Sequence, residues 1–210
     1  MYFVINIDVK YSKKHSNRQL LQDKLKRLCE HLNKESYVIA AFDIVLGDEI
    51  QGLIEASPDL ISLLETLKAF EIKHDLKLYI GIGYGKIDTQ LNTIDVEKND
   101  GPAFHCARNA IIKAKKKGQP NTIIENLNFK STQNLWNLYV KLKDNLSDQA
   151  NFILESLYKE MPQKEIALRL DNQQSSISRT ISRYYLVEII QLKNSLIQLL
   201  SLTLKETSCN

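Results

Sequence analysis

Every glycine in the chain lies between Gly47 and Gly118, and beyond Pro120 the one remaining proline is Pro162. Glycine and proline are the strongest interrupters of regular backbone. A chain of 210 residues punctuated in this way must fold as two unlike parts, a front rich in turns and a rear that is almost wholly helical. Hydrophobic residues make up 43% and charged residues 25%, so both parts have material for a core and bulk disorder is excluded.

The front half alternates between two periods. Residues 2–8 form a β-rich run. Leu21, Leu25, Leu28 and Leu32 then recur at helical spacing, with Ser16 as the expected N-cap. Residues 37–46 and 49–54 flank Gly47-Asp48, a hairpin turn. Leu60, Leu64 and Leu67 mark a second helix, and 76–84 a strand. Ala103, Ala107, Ala110 and Ala114 mark a helix with a small-residue stripe, and 122–125 a last strand. This order contains the split βαβ pattern and predicts an α+β domain: a ferredoxin-like antiparallel sheet with helices packed on one face. The expected boundaries are 1–126 for this domain, 127–147 for a linking helix centred on 135–143, and 148–210 for an all-α tail.

Cys29, Cys106 and Cys209 are far apart and form no CxxC, which excludes a disulfide framework and a zinc-finger spacing and fits a reducing compartment. The opening MYFVINID reads as a strand rather than a secretion signal. The apolar stretch 199–204 is too short to span a bilayer. The expected location is the cytoplasm, with no membrane partner. A net charge of +3 permits a nucleic-acid partner without arguing for one.

Two acids stand out by position. Asp8 ends the first strand and Asp48 sits in the hairpin turn. In a split βαβ sheet these come to one edge, where two carboxylates and a ligand's phosphates would hold Mg²⁺ or Mn²⁺. Ordinary turn chemistry is the competing reading of both. His105 and Arg108, at a helix start, are candidates to contact a nucleotide phosphate, or are plain surface residues. Lys113 and Lys115–Lys117 either funnel an anion or complement the helix dipole before Gly118. Gly81, Gly83 and Gly85 strip one face of a strand, so either a ligand or a neighbouring backbone approaches there.

The segments Ile5-Asn6-Ile7-Asp8 and Leu46-Gly47-Asp48-Glu49-Ile50 resemble the two metal-aspartate segments of class III nucleotide cyclases and GGDEF diguanylate cyclases. Residues 80–85 resemble the glycine-containing strand of both. Residues 101–108 are similar to the helix start of class III cyclases, and 110–118 (AIIKAKKKG) to the Ala-Lys-rich helix of the GGDEF group. The resemblance covers residues 1–126 and implies a cyclase-like fold with Asp8 and Asp48 as metal ligands. Where class III cyclases place a transition-state asparagine, this chain has His105, and the arginine, Arg108, follows three residues on instead of four. On a helix that shift rotates a side chain by about 100°. Ile44 replaces the adenine-selecting lysine, and Leu46 the first glycine of GGDEF. The resemblance therefore implies metal or nucleotide binding with little cyclase turnover. Together with the helical tail, the chain resembles the SatD family of bacterial proteins over its whole length.

In the tail, residues 162–183 read PQKEIALRLDNQQSSISRTISR. A first helix over 163–170 carries Ile166, Ala167 and Leu170 on one face, with Pro162 at its first position. A second, from about 173, turns Ile177 and Ile181 inward. Gln173, Gln174, Ser176, Arg179, Thr180 and Arg183 are donor and acceptor types suited to base edges and phosphates. The segment resembles the QKEIAxxLGxSQSTVSR helix-turn-helix of sigma-factor-like bacterial regulators, departing at Asp171, where glycine is usual, and Asn172, where an apolar residue is usual. That resemblance implies a DNA partner. Against it, residues 148–210 carry seven basic and seven acidic side chains, and a helical hairpin that packs on protein is the alternative. Ile189, Leu192, Leu196 and Leu199 form either intramolecular core or the seam of a homodimer.

The expectation is a DNA-binding transcription regulator with a nucleotide- or metal-binding, non-cyclising domain. Its rivals are an active Mg²⁺- or Mn²⁺-dependent nucleotide cyclase or nucleotidyl transferase using Asp8 and Asp48, and a scaffold that binds only protein.

Overall fold

The computed structural model describes residues 1–12 and 17–208. Contacts group Met1–Gln133 with Leu200–Asn210 in one unit and Asn134–Leu199 in a second. The first unit is built on five strands: β1 Tyr2–Val9, β2 Val38–Leu46, β3 Glu49–Glu55, β4 Leu78–Gly85 and β5 Thr122–Glu125. They run in the order β2-β3-β1-β4-β5. β1 sits in the middle, antiparallel to β3 through pairs such as Ile5↔Gly52 and to β4 through Ile5↔Ile82. β5 lies parallel to β4, so the expected antiparallel sheet is in fact mixed.

Three helices attach to this sheet: α1 Arg18–Leu32, α2 Leu60–His74 and α3 Pro102–Ala114. The expected cap at Ser16 lies outside the described residues; the N-cap of α1 is Asn17, whose Oδ1 accepts the Leu20 N–H at 2.9 Å. Phe3, Ile5 and Ile7, on one face of β1, are fully buried. On that face the Phe42 ring fills the space above Gly52, and Asn33 at the end of α1 grips the Phe42 backbone with two hydrogen bonds of 2.7 and 3.0 Å.

The expectation that all helices pack on one face fails, because α3 lies on the opposite side of the sheet. There Val4 and Leu53 meet Ala103, Phe104 and Ala107. The glycines explain how. A Cβ on Gly81 would stand 2.3 Å from the Ile111 nitrogen, and one on Gly83 would stand 2.0 Å from the Ala103 carbonyl oxygen. Of the two readings of the glycine strip, the neighbouring backbone is the one realised: the helix fits its alanine stripe directly onto β4. Gly101, which precedes α3, takes φ 148° where any Cβ would meet the backbone of residues 86–88.

The segment 86–100 between β4 and α3 is held by Asn99, buried at 4% exposure. Its Oδ1 accepts the Asn92 N–H at 2.7 Å and its Nδ2 donates to the Asn92 carbonyl at 2.8 Å. The Ala41 N–H reaches the Thr93 carbonyl, which ties the segment to the edge of β2.

The rear of the chain is helical as expected, with α4 Lys130–Asp144, α5 Asp148–Tyr158, α6 Gln163–Arg169, α7 Gln174–Arg183 and α8 Leu186–Ser208. The linking helix is thus longer than 135–143. The chain from Leu200 groups with the sheet unit rather than with the rest of the tail. Trp136, Tyr139, Ile153, Leu154, Ile166, Ile177 and Leu186 are buried in the second unit. Pro162 stands one residue earlier than expected, at the N-cap of α6. Ile189 and Leu196 are fully buried within the single chain, which assigns them to intramolecular core.

Candidate functional site

Asp8 shares a face of β1 with Val4 and Asn6, the face that carries α3. The hairpin turn brings Asp48 to the same end of the sheet, where its Oδ2 accepts the Val9 N–H at 3.3 Å. That bond extends the β1–β3 ladder by one rung beyond Ile7↔Ile50, with a carboxylate standing in for a backbone carbonyl. Gln22 of α1 donates to the Gly47 carbonyl at 2.6 Å and braces the turn from the helix side. The two expected metal ligands therefore come to adjacent residues, and both are engaged. Asp8 Oδ2 pairs with the ammonium of Lys115, the residue that closes α3. No group of three or more His, Cys, Asp or Glu side chains suited to a metal ion occurs among the described residues.

Further along the same face a cleft of about 470 Å³ opens between the β2–β3 hairpin, the segment 86–100 and α3. Its walls include Val45, Phe104, Glu49, Gln51, Asp100 and Arg108. Gln51 is fixed by donating to the buried Asn6 side chain at 2.8 Å. His105 and Arg108, three residues apart on α3, both reach this cleft, since i and i+3 share a helix face. His105 stands 3.7 Å from Asp100 and is exposed. Arg108 has no ion pair among the described residues, so its guanidinium is available to an anion in the cleft. Lys113 goes elsewhere: its ammonium pairs with Glu125 of β5 at 2.5 Å. Among the described residues the cleft presents Arg108 without an ion pair, carboxylates at Glu49, Glu97 and Asp100, and an apolar patch.

Sequence reading missed most of these walls. Segment 86–100 has no periodicity, and its only signal was the density of Asn and Asp. The lysine run offers an anion funnel or a complement to the helix dipole, whereas Lys115 reaches across to Asp8.

In the second unit, α6 ends in a Schellman turn. The Asn172 N–H returns to the Ala167 carbonyl at 2.9 Å and the Asp171 N–H to that of Leu168 at 3.2 Å. Asp171 adopts φ 47°, the left-handed conformation that glycine would otherwise supply, so the departure from the usual glycine is absorbed. Helix α7 then separates its two faces sharply. Ile177 is fully buried and Ile181 nearly so, alongside Ile166 and Ala167. Gln173, Gln174, Arg179 and Arg183 are exposed. Ser176 and Thr180 are half-buried, and the Thr180 hydroxyl donates to the Ser176 carbonyl at 3.0 Å, which occupies its proton inside the helix. Arg179 has no ion pair among the described residues. The guanidinium of Arg183 lies 5.6 Å from the Tyr184 ring centroid.

No helix of the described residues is long and apolar enough to cross a membrane. No curated protein and no solved structure matches the chain. The model of the SatD family matches residues 2–197, nearly the full length of both units, and on that match the chain belongs to the SatD family.

Proposed function

We propose that this protein is a DNA-binding regulator in which α6 and α7 act as a helix-turn-helix and the cleft beside α3 takes a nucleotide-like effector. The observation that carries the reading is the division of α7: Ile177 and Ile181 are buried while Arg179 and Arg183 stand exposed, without an acidic partner among the described residues. A helix that packed its polar face inside its own unit would bury those arginines beside carboxylates, since an unpaired buried charge is costly. A recognition helix needs them free for base edges and phosphates. Gln173 and Gln174 open α7 and suit adenine edges, and Arg179 suits guanine. Because Thr180 is tied to Ser176, the reading head is narrowed to Gln173, Gln174, Arg179 and Arg183, with Ser176 at its margin.

In the first unit, the sheet order and the positions of Asp8 and Asp48 support a ferredoxin-like, cyclase-related domain. His105 and the out-of-register Arg108 support binding in place of turnover, because the charge-stabilising pair that cyclisation requires is absent. Arg108 would meet the phosphate of the effector.

The test is fluorescence anisotropy with duplex DNA from the region upstream of the protein's own reading frame, across a salt series. Wild-type protein is expected to bind with an affinity that falls steeply as salt rises, through counterion release. Arg179→Ala is expected to lose about 1–3 kcal/mol of binding with its circular dichroism unchanged. Wild-type protein without salt-sensitive affinity for any duplex would overturn the reading and leave α6–α7 as a protein-binding hairpin.

A further inference from the structure

Asp8 and Asp48 come to the same end of the sheet, and Asp8 already holds a cation. We propose that Lys115 is the resident cation of this site, standing where a divalent metal would stand, and that the carboxylate pair does not take Mg²⁺ or Mn²⁺. This inference rests on neither the DNA reading nor the identity of the effector.

Three observations carry it. First, Lys115 is not placed by chance. It caps α3, and α3 is locked in register on β4 because Gly81 and Gly83 admit its backbone at contact distance. A helix held that closely cannot slide, so the Cα of Lys115 is delivered to the same end of the sheet as Asp8. Second, the pair is partly withdrawn from water: the Asp8 side chain is 19% exposed and that of Lys115 39%. An ion pair in such a place is screened less than one on the open surface. Third, the second carboxylate is held beside the first. Asp48 Oδ2 accepts the Val9 N–H, and no third acidic, histidine or cysteine side chain joins the two among the described residues. A hard divalent ion needs about six oxygen ligands, most of them from carboxylates, phosphates and water. Here it would have to displace an ammonium tethered beside it. Lys115 balances the charge of Asp8, and the Val9 N–H is the contact made to Asp48.

The experiment titrates purified protein with Mn²⁺ and counts bound ion by electron paramagnetic resonance. Wild-type protein is expected to leave Mn²⁺ free. Lys115→Met, which keeps the length of the chain and removes the charge, is expected to acquire one Mn²⁺ with an affinity at least about tenfold above wild type, since a dication and an ammonium ~4 Å apart repel by that much even in water. Adding Asp8→Asn to Lys115→Met is expected to abolish the acquired binding. Lys115→Ala, smaller and at an exposed helix end, repeats the measurement if the methionine variant does not fold. Stoichiometric Mn²⁺ binding by the wild type that Asp8→Asn removes would overturn the proposal. So would folded Lys115→Met or Lys115→Ala protein that gains no Mn²⁺, because the lysine would then be a surface ion pair and not the occupant of a metal position.

Discussion

Replacing Gly83 with alanine measures how much of the first unit depends on the backbone contact between α3 and β4. The added methyl would lie 2.0 Å from the Ala103 carbonyl oxygen and 2.3 Å from the Ala107 nitrogen, both of them backbone atoms that no rotamer change can move. Restoring ordinary contact requires α3 to withdraw by about 1.4 Å. That movement opens a gap along the alanine stripe, where Ala103, Ala107 and Ala110 are fully buried, and a gap of this size forfeits much of the dispersion energy there. Overpacking usually costs about 1–3 kcal/mol, and an unyielding backbone puts this case at or above the upper end. For a chain of this length, ~3 kcal/mol lowers the melting temperature by roughly 6–12 °C. Gly47→Ala is the control: its φ is 61° but nothing lies within 4 Å, so only the left-handed backbone is strained, at about 1–2 kcal/mol. Scanning calorimetry of both variants decides the matter. If Gly83→Ala melts with the wild type, or no lower than Gly47→Ala, the strip is not a packing device. A wild-type melt accompanied by lost ligand binding would restore the alternative that a ligand approaches this face.

Two further expectations concern buried groups. The Cys29 thiol is pushed up from 9.0 to about 12, chiefly by burial and then by the nearby Asp43 carboxylate, so iodoacetamide should leave it unmodified in folded protein and label it once denaturant is added. Because the folded value lies above the unfolded one, its contribution to stability is intact below about pH 9 and is lost as pH climbs toward 12, which urea unfolding across that window should register as a falling midpoint. Thr132 is fully buried with no hydrogen-bond partner for its Oγ1 among the described residues, so Thr132→Val should be neutral or stabilising by about 1 kcal/mol in the same assay; a clear loss of stability would show that the hydroxyl is used.

What could be read from the chain alone was whatever depends on near neighbours. The placing of glycines separates the turn-rich front from the helical rear because backbone freedom is a property of single residues. The leucine spacing of α1, the hairpin at Gly47-Asp48 and the split of α7 into an apolar and a polar face follow from periods of two and 3.6. The tolerance of Asp171 for a left-handed turn is likewise a local matter, and φ 47° is what the structure shows. The family was legible for the same reason: its motifs are short and stand in order along the chain. Tertiary structure alone decided which body fills the space over Gly81 and Gly83, since an empty strand face suits a ligand and a helix equally until α3 is docked. It also decided that α3 lies opposite α1. It drew Lys113 to Glu125 and left Arg108 facing the cleft, although the two lie close together on one helix. Segment 86–100 became a cleft wall only through long-range hydrogen bonds such as Ala41 to Thr93, which no local pattern announces. Lys115 and Asp8 are separated by 107 positions, and they meet because the register of a helix on a strand carries one to the other.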